Sequence, residues 1–287
     1  YFPEKGTNMI DEIKRTMAKY NMLKPTGERI LVGLSGGADS VSLVLVLKKL
    51  GFDVFAVHIN HNLRGDESLR DQRFCENFCK EQEISFVCES IDVLGYCKEK
   101  ALSIETGARE IRYSVFNKYA NGCKIATAHN ATDALETAIF NMARGTGIKG
   151  LCGIPATRDN IIRPLIEVSR IEIEKFLRNE NQEYVVDSTN LCDDYSRNKI
   201  RHNVISSLYE INSGLVENYL RLKVNLESDN DYLSQQSDKL FKSIKKNGEY
   251  EVLKLNGIHS ALKNRVLCSI LVENNIEISQ SRVEDLD

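Results

Sequence analysis

The chain reads as an α/β protein, a parallel sheet with helices on both faces, followed by a small, mostly helical second domain. Short apolar runs of strand character alternate with helical segments of 12–17 residues, as βαβ units require. The first of these runs passes directly into a glycine turn and then an apolar helix. From about Asn198 the strand signals fade, while Leu215, Tyr219, Leu222 and Leu226 keep helical spacing. The 287 residues therefore divide into an N-terminal helix with its leader (1–27), a catalytic-type α/β domain (28–210) and a helical domain (211–287).

Taken in order, Ile10, Ile13, Met17 and Tyr20 mark an amphipathic helix that Pro25 and Gly27 end. Tyr1–Asn8 are set aside from the fold as a remnant foreign to it. Arg29–Leu34 is a buried strand, and Asp39–Leu50 the helix after the turn. Asp53–Ile59 is a second strand, Asp66–Gln82 a helix capped by Asp66, and Ile84–Cys88 a third strand. A helix over Glu105–Tyr119, a strand over Lys124–Ala128 and a helix over Thr132–Arg144 follow. Ser169 and Glu172 form a capping box that opens a helix reaching Asn179. Ser281 and Glu284 repeat that pattern just before Asp287, so the natural chain is expected to continue.

Composition narrows the function classes. Hydrophobic residues make up 42% and charged residues 28%, the balance of a globular protein. No apolar run approaches the roughly 20 residues of a membrane span, and no signal peptide opens the chain. The eight cysteines are scattered and form no C-x-x-C, so they read as buried thiols of a cytoplasmic protein rather than as disulfides or metal ligands. A net charge of −3 excludes a generally basic nucleic-acid binder, but 144–178 carries seven Lys/Arg against four Asp/Glu, and 197–223 five against two. Oligomeric state is left open, a homodimer included.

The chemistry is concentrated in Ser35-Gly36-Gly37-Ala38-Asp39-Ser40, between the first strand and its helix. Glycines let the backbone approach a ligand, free N–H groups at the helix start favour an anion, and two serines add hydroxyls. The loop lacks the lysine of the Walker loop and the three glycines of the dinucleotide fingerprint. It resembles the pyrophosphate loop of the N-type ATP pyrophosphatases, whose fold is of the adenine nucleotide α-hydrolase type. The resemblance implies that these six residues bind ATP, with Asp39 beside the metal or the reacting phosphate.

Further segments select a family. His58-Ile-Asn60-His61-Asn-Leu-Arg64 follows the second strand at its carboxyl end, where open α/β sheets bind ligands. Arg109 and Arg112 share one helical face and can hold a phosphate or nucleotide. Asp133 and Glu136 place two carboxylates on one face, fit for Mg²⁺ or an ammonium group. With His129, Arg144-Gly145, Arg163-Pro-Leu, Asp187-Ser-Thr-Asn190 and Arg197-Asn198-Lys-Ile-Arg201, these segments resemble the tRNA lysidine synthetases in the right order. The chain departs from the commoner pattern at Asn130, Thr132 and Ala134.

The resemblance implies an ATP-dependent ligase. ATP would adenylate the C2 oxygen of the wobble cytidine in tRNA(Ile) bearing a CAU anticodon, and L-lysine would displace AMP to form lysidine. It further implies catalytic roles for Asp39, Arg109, Arg112, Asp133 and Glu136. ATP contacts would come from His58, Asn60, His61, Arg64, His129, Arg144 and Gly145. Asp133, Glu136, Arg163, Arg197, Asn198 and Arg201 would contact lysine or tRNA, and Asp39 and Asp133 would hold Mg²⁺. A related thiolation enzyme, which would need paired cysteines, and a nucleotide-binding module without catalysis are the alternatives.

Overall fold

The computed structural model describes residues 8–22, 27–186, 196–246, 248–277 and 283. The chain divides into two compact units, Tyr1–Gly145 with Gly153–Leu220, and Thr146–Cys152 with Arg221–Asp287.

The larger unit begins with α1 (Met9–Lys19). Asn8, set aside on sequence grounds, is its N-cap and accepts from the Ile10 N–H at 3.3 Å. The elements then run β1 (Arg29–Gly33), α2 (Ala38–Lys49), β2 (Asp53–Asn60), α3 (Asp66–Glu81), β3 (Ser85–Ser90), α4 (Val93–Lys100), α5 (Ile104–Ala120), β4 (Lys124–Ala126) and α6 (Ala131–Ala143). After α7 (Ile148–Leu151), which belongs to the smaller unit, come β5 (Thr157–Arg158), β6 (Ile161–Ile162), α8 (Arg170–Asn179) and α9 (Ser196–Lys199). A π-helical stretch, Ile200–Ile205, joins α9 to α10 (Ser206–Ile211), and α11 (Leu215–Ile244) follows.

The strands lie in the order β3-β2-β1-β4-β6-β5. All neighbours are parallel except β5, which pairs antiparallel with β6 through Thr157–Ile162 and Arg158–Ile161. Strand order reverses on either side of β1, so the crevice outside the carboxyl ends of β1 and β4 is a switch point where such sheets bind ligands. Successive strand residues point to opposite faces. Ile30, Val32, Val54, Ala56 and Ala126 pack with α1, α2, α6 and α8, whereas Leu31, Phe55, Val57 and Ile125 pack with α4 and α5. Helices thus cover both faces.

One expectation needs correction, and two features were not read from the sequence. Asp66 is the first residue of α3 rather than its cap; Gly65 holds that position at φ +50°, with no capping side chain. The helix α4 was not foreseen, nor was the β5–β6 pair, whose strands are too short for an apolar pattern to mark. The capping box at Ser169 and Glu172 is present as expected.

The smaller unit contains α7, the rest of α11, a hairpin of β7 (Lys245–Lys246) and β8 (Glu249–Tyr250), and α12 (Ser260–Glu273). Ile244, Leu255, Val266, Leu267 and Leu271 form its core. Of the helix start expected at Ser281–Glu284, only Val283 lies within the described residues; Asp187–Asn190 and Cys192 lie outside them. Among the described residues, no helix is long and apolar enough to cross a membrane.

Candidate active site at the carboxyl edge of the sheet

The loop leaves β1 under tight constraint. The Leu34 N–H donates to the Val57 carbonyl at 2.9 Å, and the Leu34 carbonyl accepts from His58 Nδ1 at 2.8 Å. A carbonyl can only accept, so His58 carries its proton on Nδ1, and burial keeps the ring below its ordinary pKa. His58 is therefore a neutral brace beneath the loop.

Gly36 adopts φ +86°, and a Cβ there would meet Cys75 Sγ at 3.2 Å and a Val185 methyl at 3.3 Å. Only glycine turns so sharply against those neighbours. Gly37 caps α2 without a side chain, leaving the first N–H groups of the helix for an anion. Ser40 Oγ accepts from the Ser35 N–H at 3.1 Å, donates to the Gly37 carbonyl at 3.0 Å and meets Ser35 Oγ at 3.1 Å, which closes the loop into a cradle.

Asp39, in the first turn of α2, meets the start of α6. Its carboxylate accepts from Arg170 Nη1 at 2.6 Å and from Asn130 Nδ2 at 3.0 Å. Asn130 also caps α6: its Oδ1 accepts from the Asp133 N–H, and Asp133 Oδ2 accepts from the Asn130 N–H, both at 3.0 Å. This reciprocal box fixes the amide so that its donor end faces Asp39.

One turn on, Glu136 is 4% exposed and takes a forked pair from Arg201, at 2.6 and 3.0 Å, while Arg201 Nη2 also reaches Asp133 at 3.3 Å. Arg201 sits in the π-helical stretch, an irregularity common at functional sites. Three carboxylates thus share two guanidinium groups. Burial, then the charges of Asp39 and Glu136, push Asp133 up to about 7; burial also raises Asp39. The cluster lacks positive charge, which a metal ion or an ammonium group would supply.

Among the described residues, no group of three or more His, Cys, Asp or Glu side chains is arranged to hold a metal ion. Mg²⁺ commonly takes one or two carboxylates with phosphate and water oxygens, and Asp39 with Asp133 beside the phosphate cradle matches that donor set.

The remaining expected residues make other contacts. Asn60 is buried, donating to Gln72 Oε1 at 3.0 Å and accepting from the Asn62 N–H at 2.9 Å. Arg64 is held by buried Asp71 at 2.9 Å. Burial, Arg112 and His58 push His61 down to about 4. His129 Nδ1 lies 3.1 Å from Thr127 Oγ1. Arg109, Arg112 and Arg163 gather around Tyr113.

Arg163 is 2% exposed and donates to the Pro155 carbonyl at 2.7 Å. Arg144, stacked on Phe140, and Gly145 lie exposed past the end of α6, about 16 Å along the helix from Asp133. Asn198 is on α9, as is the backbone of Arg197, whose side chain lies outside the described residues.

Sequence reasoning missed Arg170 and Asn130 as partners of Asp39. The Asn-x-x-Asp spacing at 130–133 was a legible capping signal, but nothing local ties either residue to position 39.

A family model described as a PP-loop domain matches residues 7–208. The tRNA(Ile)-lysidine synthase of Clostridioides difficile (strain 630) is 36% identical over 97% of this chain and 64% of its own length. That of Clostridium tetani (strain Massachusetts / E88) is 40% identical over 97% and 62%. The chain thus spans under two thirds of the length of these relatives. Among solved structures, a U34-tRNA thiolase from Methanococcus maripaludis with its [4Fe-4S] cluster aligns with TM-score 0.58 at 20% identity, over 75% of this chain and 78% of that one. This last likeness is one of fold alone.

Proposed function

The chain belongs to the PP-loop family, and from that premise we propose that it carries the catalytic part of a tRNA(Ile)-lysidine synthetase. The observation that carries this reading is the cation-poor carboxylate cluster of Asp39, Asp133 and Glu136 set against the Ser35–Ser40 cradle. Such a pairing suits a reaction that cleaves a nucleoside triphosphate and takes an amine as the second nucleophile.

In the first step, the C2 oxygen of the wobble cytidine attacks the α-phosphorus of ATP, forming an O–P bond as the bond to pyrophosphate breaks. The free N–H groups of α2 and the hydroxyls of Ser35 and Ser40 bind the departing pyrophosphate and stabilise its growing charge. Asp39 and Asp133 would hold Mg²⁺, which supplies charge neutralisation at the phosphates.

In the second step, the ε-amine of L-lysine attacks C2, a C–N bond forms, and AMP leaves with the C2 oxygen. Lysine arrives as an ammonium and must lose a proton before it attacks. Asp133, pushed up to about 7 in the metal-free cluster, is suited to accept that proton only while it holds no metal ion. Glu136 is suited to bind the ammonium in place of Arg201.

ATP–pyrophosphate exchange tests the reading. Exchange is expected with the CAU anticodon transcript of tRNA(Ile) and not with a transcript bearing another wobble base. Exchange that ignores the wobble base would refute it, and sulfur incorporation would instead favour a thiolation enzyme.

A further inference from the structure

Arg170, the partner of Asp39, stands at the end of a line of contacts that begins on α1. Glu167, in the turn between β6 and α8, accepts from Thr16 Oγ1 at 3.0 Å, from Lys19 Nζ at 2.5 Å and from Tyr20 Oη at 3.1 Å. These donors share one face of α1 and its C-cap, 147–151 positions away in the chain. Thr16 is 1% exposed, so its bond is shielded from water. The same turn is tied to α6 from the other side. The Ala131 N–H donates to the Val168 carbonyl at 2.9 Å, and the Arg170 N–H to Thr132 Oγ1 at 3.3 Å. Ser169 then caps α8, and Arg170, its first residue, reaches Asp39.

Leu165, Ile166 and Val168 are fully buried and already anchor this turn. Apolar burial is non-directional, so it sets the depth of a turn better than its rotation. Hydrogen bonds are directional, and the three at Glu167 oppose the two from α6. Held between them, the start of α8 gives a long side chain a fixed origin, which limits the rotamers that Arg170 must give up to meet one carboxylate. That carboxylate lies in the first turn of α2, beside the Ser35–Ser40 cradle. Covered by Arg170, Asp39 does not repel phosphate oxygens there; uncovered, it is a bare negative charge at an anion site.

We propose that Glu167 is a positioning residue for the phosphate cradle: by locking the turn before α8 onto α1, it seats Arg170 on Asp39 and keeps that carboxylate neutralised until a metal ion or nucleotide arrives. The role rests on the reading of Ser35–Ser40 as a cradle for phosphate, and it adds α1 to the elements that shape the site.

A double-mutant cycle on Glu167→Ala and Arg170→Ala tests it, with inorganic pyrophosphate titrated in metal-free buffer and Tm recorded for every variant. Glu167→Ala is expected to weaken pyrophosphate binding about three- to tenfold, the scale of coupled neighbours. Glu167→Gln should recover most of that loss, because its amide oxygen still accepts from Lys19 and Tyr20 while its NH₂ donates to Thr16 Oγ1. With Arg170 already removed, Glu167→Ala should add less than about twofold. The guanidinium NMR signals of Arg170, resolved while its fork is held, should merge in Glu167→Ala and stay resolved in Glu167→Gln. If Glu167→Ala does not fold, Thr16→Val combined with Tyr20→Phe takes its place in the cycle. Single effects that multiply in full, or Arg170 signals that ignore the loss of Glu167, would overturn the role. Signals that respond in a chain that binds no pyrophosphate would support the role while refuting the cradle.

Discussion

At the start of α6, Asp39, Asp133 and Glu136 share Arg170 and Arg201, whereas the arginines around Tyr113, Arg109, Arg112, Arg158 and Arg163, form no ion pair among the described residues. Both corners lie on the larger unit, at the carboxyl edge of its sheet, and they treat charge in opposite ways. The first is nearly balanced from within: its two arginines already hold carboxylates, and one carboxylate charge is left for an incoming cation to meet. The second is left without a counter-charge of its own. A ligand of the first corner therefore completes a balance, and one of the second supplies the whole of it.

Catalysis should break first at the closed corner. Asp39→Ala is expected to lower adenylation about 10²–10³-fold, the scale of losing one preorganised electrostatic contact in an active site. The fold should persist, because Arg170 keeps Glu174 at 2.8 Å. Adenylation near wild-type rates, with an unchanged Tm, would remove Asp39 from the reaction.

Glu136→Gln sharpens the distinction between metal and amine. As an ammonium site, Glu136 should raise KM for lysine at least tenfold when neutralised, while adenylation without lysine persists. If it serves Mg²⁺ instead, adenylation itself should fail and excess Mg²⁺ should restore part of it. Unaltered kinetics in both steps would leave Glu136 as the structural partner of Arg201 alone.

Stability should separate the two corners directly. Arg201→Gln leaves Glu136 buried without its counter-charge, and a loss of about 2 kcal/mol, roughly 4–8 °C in Tm, is expected after allowance for the exposure of Arg201. Arg158→Gln removes one of several repelling cations and should leave Tm unchanged or slightly higher. Equal losses in the two variants would erase the contrast.

The contrast also reaches pH dependence. Asp133 is raised from 3.8 to about 7 in the folded chain, so between those values the folded state binds more protons than the unfolded one. Stability without added metal should accordingly fall as pH rises from about 4 to 7 and then level off. Asp133→Asn should flatten that part of the curve. A parallel curve in the variant would mean that other groups set the slope.

Much of this edge was legible in the sequence. Ser35–Ser40 announced its cradle because glycines and hydroxyls act locally, and Asp133 with Glu136 announced a shared face because helical spacing does. What stayed hidden acts across the chain. Arg170 reaches Asp39 over 131 positions and Asn130 over 91, and no periodicity encodes such contacts. His58 shows a second limit: its Nδ1 is committed to the Leu34 carbonyl, a contact across 24 positions that the sequence does not announce. Arg158 lies on a two-residue strand that no apolar pattern could mark. Tertiary pairing, rather than local propensity, decided each of these.

The central claim, that the cradle and the carboxylate cluster together activate an RNA carbonyl oxygen for attack by an amine, is tested most directly by omitting lysine. The chain is incubated with ATP and the CAU transcript, and the RNA is analysed by mass spectrometry before and after L-lysine is added. The account predicts adenylated RNA with release of pyrophosphate, then conversion to lysidine with release of AMP when lysine arrives. Release of ADP and inorganic phosphate, or lysine incorporation with no adenylated RNA preceding it, would contradict it.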